Sequence, residues 1–555
     1  MRRLALFCGV LLAIGVVAVI AWRTEPAGSG SAAQATGQTV AVTSVSRSCP
    51  PAAPGSGSAH VAMIAMPSSS GSAKGVTAAP AGDATLSAVS AATGEADVNG
   101  KSDATNKANA KGKANSGAGG KPGATAGASA TESAAAAQPV TVSAPGAVTS
   151  VTVPGEAGAG GTEGTGGATV SATGQMAEGF EAEQVNSAGM GLVSCTHPSS
   201  DMWFAGTGTS AGAPEVWLYL MNTGTLEASA DVTILTDTGQ QNGLDSAVTI
   251  GPDQVVAENI APFVRGSEAL ALHVQTSSGQ VAASVWEGSG TGSGAWLPQA
   301  AAPSTTLVIP GLTVASSAAR LFVTVPGSTD AHLKVVAYTP AGTFAQFSAT
   351  PVDASATATT PVTLSSLGAS AAGLELTSNV PIVAGVLVPG TGLGSFTTAT
   401  APITEQGVVA GNPATRGLTV GLLLTAPAGA VQARITTVEA AGAADSADSA
   451  DSAGTAGTAG TAGTAGAASS SAAGQTVAVP AGHTLAVAVP RPSSRQPFAI
   501  VLTPLAGSGP LYAARVVTTG TGGLSAPLTS LLPVPSALFE MTLPPVDNSY
   551  TAVLP

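Results

Sequence analysis

The residue types that usually carry chemistry are few in this chain, and they do not cluster. The five histidines stand singly, and the sequence contains no HExxH, no CxxC and no acidic calcium-binding loop. The run DSADSADSA at 445–453 spaces its carboxylates evenly, but it lacks the glycine bend and the closing glutamate of a calcium loop. The sequence therefore predicts neither a metal site nor a bound cofactor.

One short match to a catalytic motif occurs, at Gly208–Gly212 (GTSAG). The G-x-S-x-G pattern works as a nucleophile elbow when a strand enters and a helix leaves, because that turn exposes the serine. Both flanks here have the composition of strands, and Gly, Ser and Thr are so frequent that chance matches are expected. We therefore expect no catalytic residue and no enzyme activity.

Two cysteines, Cys49 and Cys195, lie outside the apolar N-terminal run that contains Cys8. An exported chain reaches a compartment where disulfides persist, and two unpaired thiols are the alternative. One cysteine opens the first β domain and the other opens the central stretch. These positions favour a disulfide between Cys49 and Cys195.

Four of the five tryptophans fall in the central stretch of the chain, where they could stack on sugar rings or fill a hydrophobic core. In VWLYL, Val216 and Leu218 share one strand face while Trp217 and Tyr219 share the other, so both faces are apolar. That pattern favours the core, although a paired Trp-Tyr face also suits a stacking surface. The candidates are Trp203, Trp217, Trp286 and Trp296.

Composition narrows the class of partner. Charged residues are 9% of the chain, the net charge is −13, and Lys334 is the only lysine after residue 192. Nucleic acid binding needs clustered Lys and Arg to neutralise phosphates, so we expect none. Aromatic residues are 3% of the chain, so its cores must consist of Val, Leu, Ile and Ala, which suits thin β-sandwiches.

Short runs of alternating apolar residues follow one another from residue 192 onward, separated by Gly, Pro, Asn and Asp. Turn signals recur about every 8–12 residues, as in a sandwich or barrel. The pattern repeats, which predicts an all-β chain of tandem Ig-like β-sandwich units at 192–312 (the central unit), 313–414 and 415–535. A low-complexity stretch at 441–474 predicts a disordered insertion in the third unit, and 536–555 is expected to be a tail.

The region 38–191 reads as a further β domain, with strands in QTVAVTSVS and around Ala59–Met66. Between about 91 and 137 the chain has almost no large apolar residue, and about 155–175 is rich in glycine. Such segments cannot bury enough surface to offset the entropy of ordering, so both are predicted to be disordered insertions.

The N-terminus predicts a membrane anchor. Leu4–Trp22 contains no charged residue and follows two arginines, so at about 1.5 Å per residue it can span a hydrocarbon core of about 30 Å. The positive-inside rule then exports the rest of the chain. We expect 1–23 to be an uncleaved signal anchor of a single-pass protein of the cell membrane, and a secreted protein if this segment is cleaved.

Several short phrases resemble an uncharacterised family, a domain of unknown function, of membrane-anchored exported envelope proteins from high-GC Gram-positive bacteria. The resemblance implies an N-terminal membrane helix and Ig-like β units, and it supplies no active site. The long Ala/Gly/Thr insertions and the turn MNTG depart from the pattern. The matching phrases are TVAVTSVSRSCP at 39–50, EAEQ at 181–184, SCTHPSSDMWFAG at 194–206, VWLYLMNTG at 216–224 and GAWLPQAAAPSTTLVIPGL at 294–312.

These observations together predict a non-catalytic, membrane-anchored, extracytoplasmic envelope protein with a structural or protein-interaction role. The alternative is an array of cell-wall carbohydrate-binding sandwiches that uses the central tryptophans. The expected partners are the membrane, through one N-terminal span, and envelope proteins or wall polysaccharide.

Overall fold

The computed structural model describes an all-β chain. Among the described residues there is no α-helix, and no helix is long and apolar enough to cross a membrane. The predicted anchor at 1–23 lies outside them. The described ranges are 38–54, 59–66, 79–91, 140–142, 145–153, 165–186, 191–241, 244, 247–289, 293–313, 319–344, 352–364, 371–390, 392–439, 474–492, 496–520, 522–525 and 527–543.

After β1 (Gln38–Ala41), the strands form four successive two-sheet sandwiches. Sandwich 1 contains β2 (Ser44–Cys49), β3 (Ala59–Ile64), β4 (Ala84–Ala91), β5 (Val140–Val142), β6 (Thr149–Val153), β7 (Thr165–Thr173), β8 (Glu181–Asn186) and β9 (Val193–Ser194). Sandwich 2 contains β10 (Asp201–Thr207), β11 (Glu215–Asn222), β12 (Ala228–Thr236), β13 (Gly239–Gln241), β14 (Val248–Ile250), β15 (Gln254–Asn259), β16 (Ala269–Ser278), β17 (Ala282–Gly288) and β18 (Gly294–Leu297).

Sandwich 3 contains β19 (Ser304–Leu312), β20 (Ala319–Val325), β21 (Ala331–Thr339), β22 (Gly342–Phe344), β23 (Val352–Ala354), β24 (Ala358–Leu364), β25 (Ala372–Val388) and β26 (Ser395–Thr398). Sandwich 4 contains β27 (Gly407–Asn412), β28 (Leu418–Ala426), β29 (Val431–Glu439), β30 (Gln475–Val479), β31 (His483–Ala488), β32 (Phe498–Pro504), β33 (Tyr512–Thr519) and β34 (Leu528–Pro533). Short 3-10 turns lie at Gly174–Met176, Thr209–Ala211, Ala261–Val264 and Gly523–Ser525.

All four sandwiches share one strand order. The first sheet reads β2-β7-β4-β5 in sandwich 1, and the same order recurs as β10-β16-β12-β13, β19-β25-β21-β22 and β27-β32-β29-β30. The second sheet reads β6-β3-β8-β9, and the same order recurs as β15-β11-β17-β18, β24-β20-β25-β26 and β31-β28-β33-β34. The region 38–191 is thus a fourth copy of the repeat, which the sequence pattern did not reveal.

Turns predicted from the sequence set this order. Gly239 follows Asp237-Thr238 with a positive φ of 104° and closes the hairpin between β12 and β13. Asp253 in the corner IGPDQVV has a φ of 51°, and there the chain passes from β14 in one sheet to β15 in the other. The chain therefore stays in one sheet through the hairpin and crosses to the other sheet at the corner.

The all-β prediction is confirmed, and the finer Ig-like assignment stays a prediction. In an Ig sandwich the first two strands share one sheet. Here the first two strands of each sandwich, such as β10 and β11, lie in opposite sheets. The units are β-sandwiches, and this placement of their first two strands differs from that of an Ig sandwich.

The structure also places the boundaries between units at positions different from the predicted 192, 313 and 415. β9 pairs with β8 in sandwich 1, β19 pairs with β25 in sandwich 3, and β27 pairs with β32 in sandwich 4. In each case a strand assigned from sequence to one unit completes a sheet of its neighbour. The reason is that strand pairing follows hydrogen bonding across the sheet, which apolar alternation alone does not specify.

The predicted disordered insertion at about 155–175 is wrong for its second half. Residues 165–173 form β7, where Ala168, Val170 and Ala172 are fully buried between β2 and β4. Small residues at alternate positions give a strand that packs closely without a strong hydrophobic signal. The remaining predicted insertions, about 91–137 and 441–474, lie almost wholly outside the described residues. Both fall at the same topological position, between the third strand of a sandwich and its hairpin partner.

The predicted tail at 536–555 contains β35 (Glu540–Leu543), which pairs antiparallel with β1. This strand pair belongs to a small compact unit of its own, and the four sandwiches belong to the larger unit of Val42–Gly71 and Ala78–Phe539. The cores of the sandwiches consist mainly of buried Val, Leu, Ile and Ala, as the composition predicts.

Candidate functional site

Three of the four candidate tryptophans are buried. Trp203, Trp286 and Trp296 are about 5% exposed or less, whereas Trp217 is only partly buried. Trp217, Trp286 and Trp296 are directly opposite one another across β11, β17 and β18, and we call them the aromatic ladder. Trp286 and Trp296 meet edge to face with ring centroids 5.2 Å apart, a favourable geometry for aromatic rings.

The buried end of the aromatic ladder lies in a joint between two sandwiches. Ala53 and Val193 of sandwich 1 pack against Trp286, Trp296 and Tyr219. These aromatic side chains therefore hold sandwich 2 against sandwich 1. The burial of Trp286 and Trp296 matches the core interpretation of the sequence.

Trp203 occupies a different environment. It pairs with His273 across β10 and β16, and the two rings stack 3.7 Å apart with an interplanar angle of 10°. His273 Nε2 lies 3.1 Å from a carboxylate oxygen of Asp201. Burial lowers the pKa of His273, and Asp201 opposes that shift. Because Trp203 is buried in the core of sandwich 2, the stack is a packing element of the sandwich.

The exposed end of the aromatic ladder opens into a cleft of about 450 Å³. Trp217 forms one wall, Glu215 and Asn259 supply a carboxylate and an amide, and Pro54 and Pro214 complete the rim. Aromatic faces beside carboxylate and amide groups can stack on a sugar ring and hydrogen-bond its hydroxyls. Of the four tryptophans, only Trp217 is placed for such contact.

The predicted pair Cys49 and Cys195 is joined by a disulfide in the structure, with the Cα atoms 4.3 Å apart. Both residues are buried in the core of sandwich 1. Backbone hydrogen bonds in both directions between Ser48 and Thr196 lie beside the bond. The disulfide therefore fastens the first strand of sandwich 1 to the segment that leads into sandwich 2.

Two buried ion pairs involve glutamates of β8, Glu181 and Glu183. Arg47 donates from Nη2 to Glu181 at 2.8 Å within sandwich 1. Arg515 of sandwich 4 donates to Glu183 of sandwich 1 at 3.2 Å and to the carbonyl oxygen of Gly411 at 2.8 Å. Burial raises the pKa values of both glutamates, an effect the arginines oppose, and lowers the pKa of Arg515.

Further contacts join the remaining neighbours. Thr359 of sandwich 3 donates to the Leu235 carbonyl oxygen of sandwich 2 at 3.1 Å. Ser395 of sandwich 3 donates to the Leu531 carbonyl oxygen of sandwich 4 at 3.1 Å. β15 of sandwich 2 also pairs in parallel with β4 of sandwich 1, which makes one continuous sheet. The four sandwiches are therefore connected by buried polar contacts as well as by apolar packing.

Glu287 is a buried carboxyl without a cationic partner among the described residues. Its side chain accepts hydrogen bonds from the backbone N–H and the hydroxyl of Thr207, and it is fully buried. Burial raises the pKa of Glu287 to about 8, although the Thr207 hydrogen bonds act in the opposite direction. This carboxyl is therefore protonated in the folded protein at neutral pH.

The G-x-S-x-G match is not an elbow. Thr209–Ala211 forms a single 3-10 turn between two strands, and Ser210 Oγ donates to the Ser267 carbonyl oxygen at 2.6 Å. No group of three or more metal-ligating side chains occurs within the part of the chain that the structure describes.

The chain belongs to a family defined by sequence and not by function. Residues 162–459, more than half of the chain, match the Family of unknown function (DUF5719). No curated protein and no solved structure matches the chain.

Sequence reasoning did not single out the buried charges. Glu287 and Arg515 stand inside otherwise apolar strand runs, VWEG and YAARVV, whereas Arg47, Glu181 and Glu183 lie in the polar strands SVSRSC and EAEQVN. In a chain with so few charges, a charged residue at an inward position of a strand was the available signal.

Proposed function

We propose that this protein is a non-catalytic, extracytoplasmic envelope protein, anchored by a single N-terminal membrane helix at 1–23, with a structural or protein-interaction role. One observation carries the proposal. The buried ion pair between Arg515 and Glu183 lies between sandwich 4 and sandwich 1, where it serves the joint between the two units.

Tandem domains usually move relative to one another unless their interface is large and well packed. A buried ion pair is costly to desolvate, and its best-attested use is to specify one arrangement of the groups around it. The joints of this chain combine such a pair with a shared sheet and the aromatic ladder. Fixed joints suit a protein that presents surfaces at set positions to other envelope components.

The test is crosslinking in intact cells that express the full chain, followed by capture of the chain. A protein-interaction role predicts discrete adducts whose size is unchanged by a wall-hydrolysing enzyme. The same capture with Leu4–Trp22 replaced by a cleavable signal sequence should lose the adducts that depend on anchoring. Absence of any adduct at the cell surface would overturn the proposal.

Wall polysaccharide is the second candidate partner, and the cleft at Trp217 favours it. A partly exposed indole beside Glu215 and Asn259 has the chemistry to bind a sugar ring. Adducts that collapse on treatment with the wall-hydrolysing enzyme would support this candidate over a protein partner.

Two matched substitutions separate binding from packing. Trp286→Ala removes a buried ring from the joint and should destabilise sandwich 2 by about 3–5 kcal/mol. Trp217→Ala removes a half-buried ring, so it should cost less stability and abolish co-sedimentation with wall polysaccharide. A Trp217→Ala protein that sediments like the wild type would remove the carbohydrate candidate.

A further inference from the structure

A cavity of about 550 Å³ lies where segments of all four sandwiches meet. Arg47 and Glu181 of sandwich 1 and Ser284 of sandwich 2 contribute to its lining. Thr400, just after the last strand of sandwich 3, and Leu532 of sandwich 4 complete it. The volume is within the range of about 300–1,000 Å³ that small-molecule sites occupy.

The walls of this junction cavity are largely apolar and well supported. Leu297, Ala300 and Leu532 are buried in them, and Leu538 at the rim is 57% exposed. Two hydrogen bonds hold the wall segment after β18. Thr398 Oγ1 donates to the Gln299 carbonyl oxygen at 3.2 Å. The Ala301 backbone N–H donates to the Ala399 carbonyl oxygen at 3.3 Å. Hydrogen bonds therefore support the wall of the cavity, and its rim is apolar.

Polar groups at the cavity have unused hydrogen-bonding capacity. Arg47 is 7% exposed and Ser284 is 2% exposed. Within the described part of the chain, Arg47 Nε, Ser284 Oγ and Thr400 Oγ1 have no hydrogen-bond partner. A guanidinium nitrogen can only donate, and the two hydroxyls can donate as well. The unused capacity of this lining therefore suits a ligand that brings acceptors.

The charges at the cavity nearly cancel. Arg47 is neutralised by Glu181 at 2.8 Å. Burial, together with the nearby Arg47 charge, lowers the pKa of His197, so this lining residue is neutral at neutral pH. An anionic ligand would meet the Glu181 carboxylate as well as Arg47. The free-energy cost of desolvating the anion would then not be offset by a net positive charge.

From this lining we propose that the junction cavity binds the acyl chain of an uncharged lipid ester, with the ester oxygens accepting from Arg47, Ser284 and Thr400. An ester supplies acceptors without adding a donor, whereas each peptide unit would also bring an N–H group that needs an acceptor. The apolar walls and the exposed Leu538 at the rim receive the acyl chain.

Photocrosslinking of the purified full chain tests the proposal. The probe is the methyl ester of a diazirine-bearing fatty acid, which has no hydrogen-bond donor, and the labelled peptides are mapped. Label should appear in the lining segments around 283–284, 297–302, 399–401 and 532–538. Unlabelled methyl laurate should compete at least about tenfold better than laurate, which has the same chain but an anionic head. Equal competition, or better competition by an end-blocked apolar peptide, would overturn the choice of an uncharged ester.

Three variants connect the label to the cavity. Ala302→Trp places a bulky ring at an exposed lining position and should reduce labelling about tenfold. Ala428→Trp adds the same ring at an exposed position away from the cavity and should leave labelling unchanged. Ser284→Ala removes one donor and should weaken labelling several-fold while the protein stays folded. Unchanged labelling in both Ala302→Trp and Ser284→Ala would place the lipid elsewhere and refute the site.

Discussion

Replacing Glu287 with glutamine should remove a contribution of up to about 5 kcal/mol to the pH dependence of the stability of sandwich 2. Glu287 is fully buried on β17, and its only hydrogen-bond donors among the described residues are the backbone N–H and hydroxyl of Thr207. The causes that set its pKa are burial, which raises it, and the two Thr207 hydrogen bonds, which lower it. Glutamine has nearly the same shape and cannot ionise, so Glu287→Gln isolates the titration from the packing.

The pKa values determine the sign and the size of the effect. The carboxyl titrates at about 8 in the folded protein and at an ordinary value of 4.5 in the unfolded chain. Between these values only the folded state keeps the proton, so the free energy of unfolding falls by about 1.4 kcal/mol per pH unit. The contribution is fully present below pH 4.5 and lost as the pH rises through about 8, a total of about 5 kcal/mol at most.

Tryptophan fluorescence is a suitable probe because Trp203, Trp217, Trp286 and Trp296 all belong to sandwich 2. Urea unfolding followed at several values between about pH 5 and pH 8.5 should show the wild-type midpoint falling with pH. The midpoint of the Glu287→Gln protein should fall less steeply with pH and should exceed that of the wild type above about pH 7.

Glu227→Gln supplies the control, because Glu227 is an exposed carboxyl of the same sandwich. Its pH profile should follow that of the wild type. Parallel profiles for Glu287→Gln and the wild type would refute the assignment of a proton to the buried carboxyl.

Two further predictions concern the disulfide between Cys49 and Cys195 and the insertion at 441–474 in the third unit. Non-reducing peptide mapping of protein from the native envelope should find Cys49 linked to Cys195, and two free thiols would contradict this prediction. Cys49→Ser should lower the free energy of unfolding by up to about 4–5 kcal/mol, according to the loop-entropy estimate for a separation of 146 residues. Replacing 441–474 with a short Gly-Ser turn should leave the melting temperature almost unchanged, because it joins the antiparallel strands β29 and β30 and closure cost grows by only about 0.6 kcal/mol per doubling of loop length. A fall of many degrees would contradict that prediction.

Apolar alternation and turn residues were sufficient to predict the strands of the three later sandwiches. The hairpin at Asp237-Thr238-Gly239 and the corner at Pro252-Asp253 lie where the sequence places them. Both depend on local conformational preferences, which one segment of chain carries by itself. Pairing between strands distant in sequence is not local, and this explains why β9, β19 and β27 were assigned to the wrong units.

The common topology of all four sandwiches was hidden in sandwich 1 by its composition. β7 is built around Ala168, Val170 and Ala172, which give almost no hydrophobic contrast. Its third strand and hairpin partner, β4 and β5, are separated by the long low-complexity stretch, so the repeat does not appear at a regular spacing. The same interruption between β29 and β30 was recognised because strong strands flank it.

The residues of the candidate site also divide into those whose environment follows from the local sequence and those whose environment depends on distant contacts. Burial of Trp286 and Trp296 follows from their places in apolar strands, whereas the partial exposure of Trp217 depends on how Pro54 and Pro214 frame the cleft. The pairing of Arg515 with Glu183 joins residues 332 positions apart. Contacts of this kind arise only when the sandwiches assemble.

The central claim, that the four sandwiches are joined into one unit, can be tested with a single substitution far from the reporter. Arg515→Met leaves Glu183 buried without its cation at the joint between sandwiches 4 and 1, which should cost about 3–5 kcal/mol. The measurement is the unfolding midpoint reported by the tryptophans of sandwich 2, compared between Arg515→Met and the wild type. Joined sandwiches predict a clearly lower midpoint in the variant. An unchanged tryptophan transition, with only part of the circular dichroism signal shifting to lower denaturant, would show that the sandwiches unfold independently and would contradict the account.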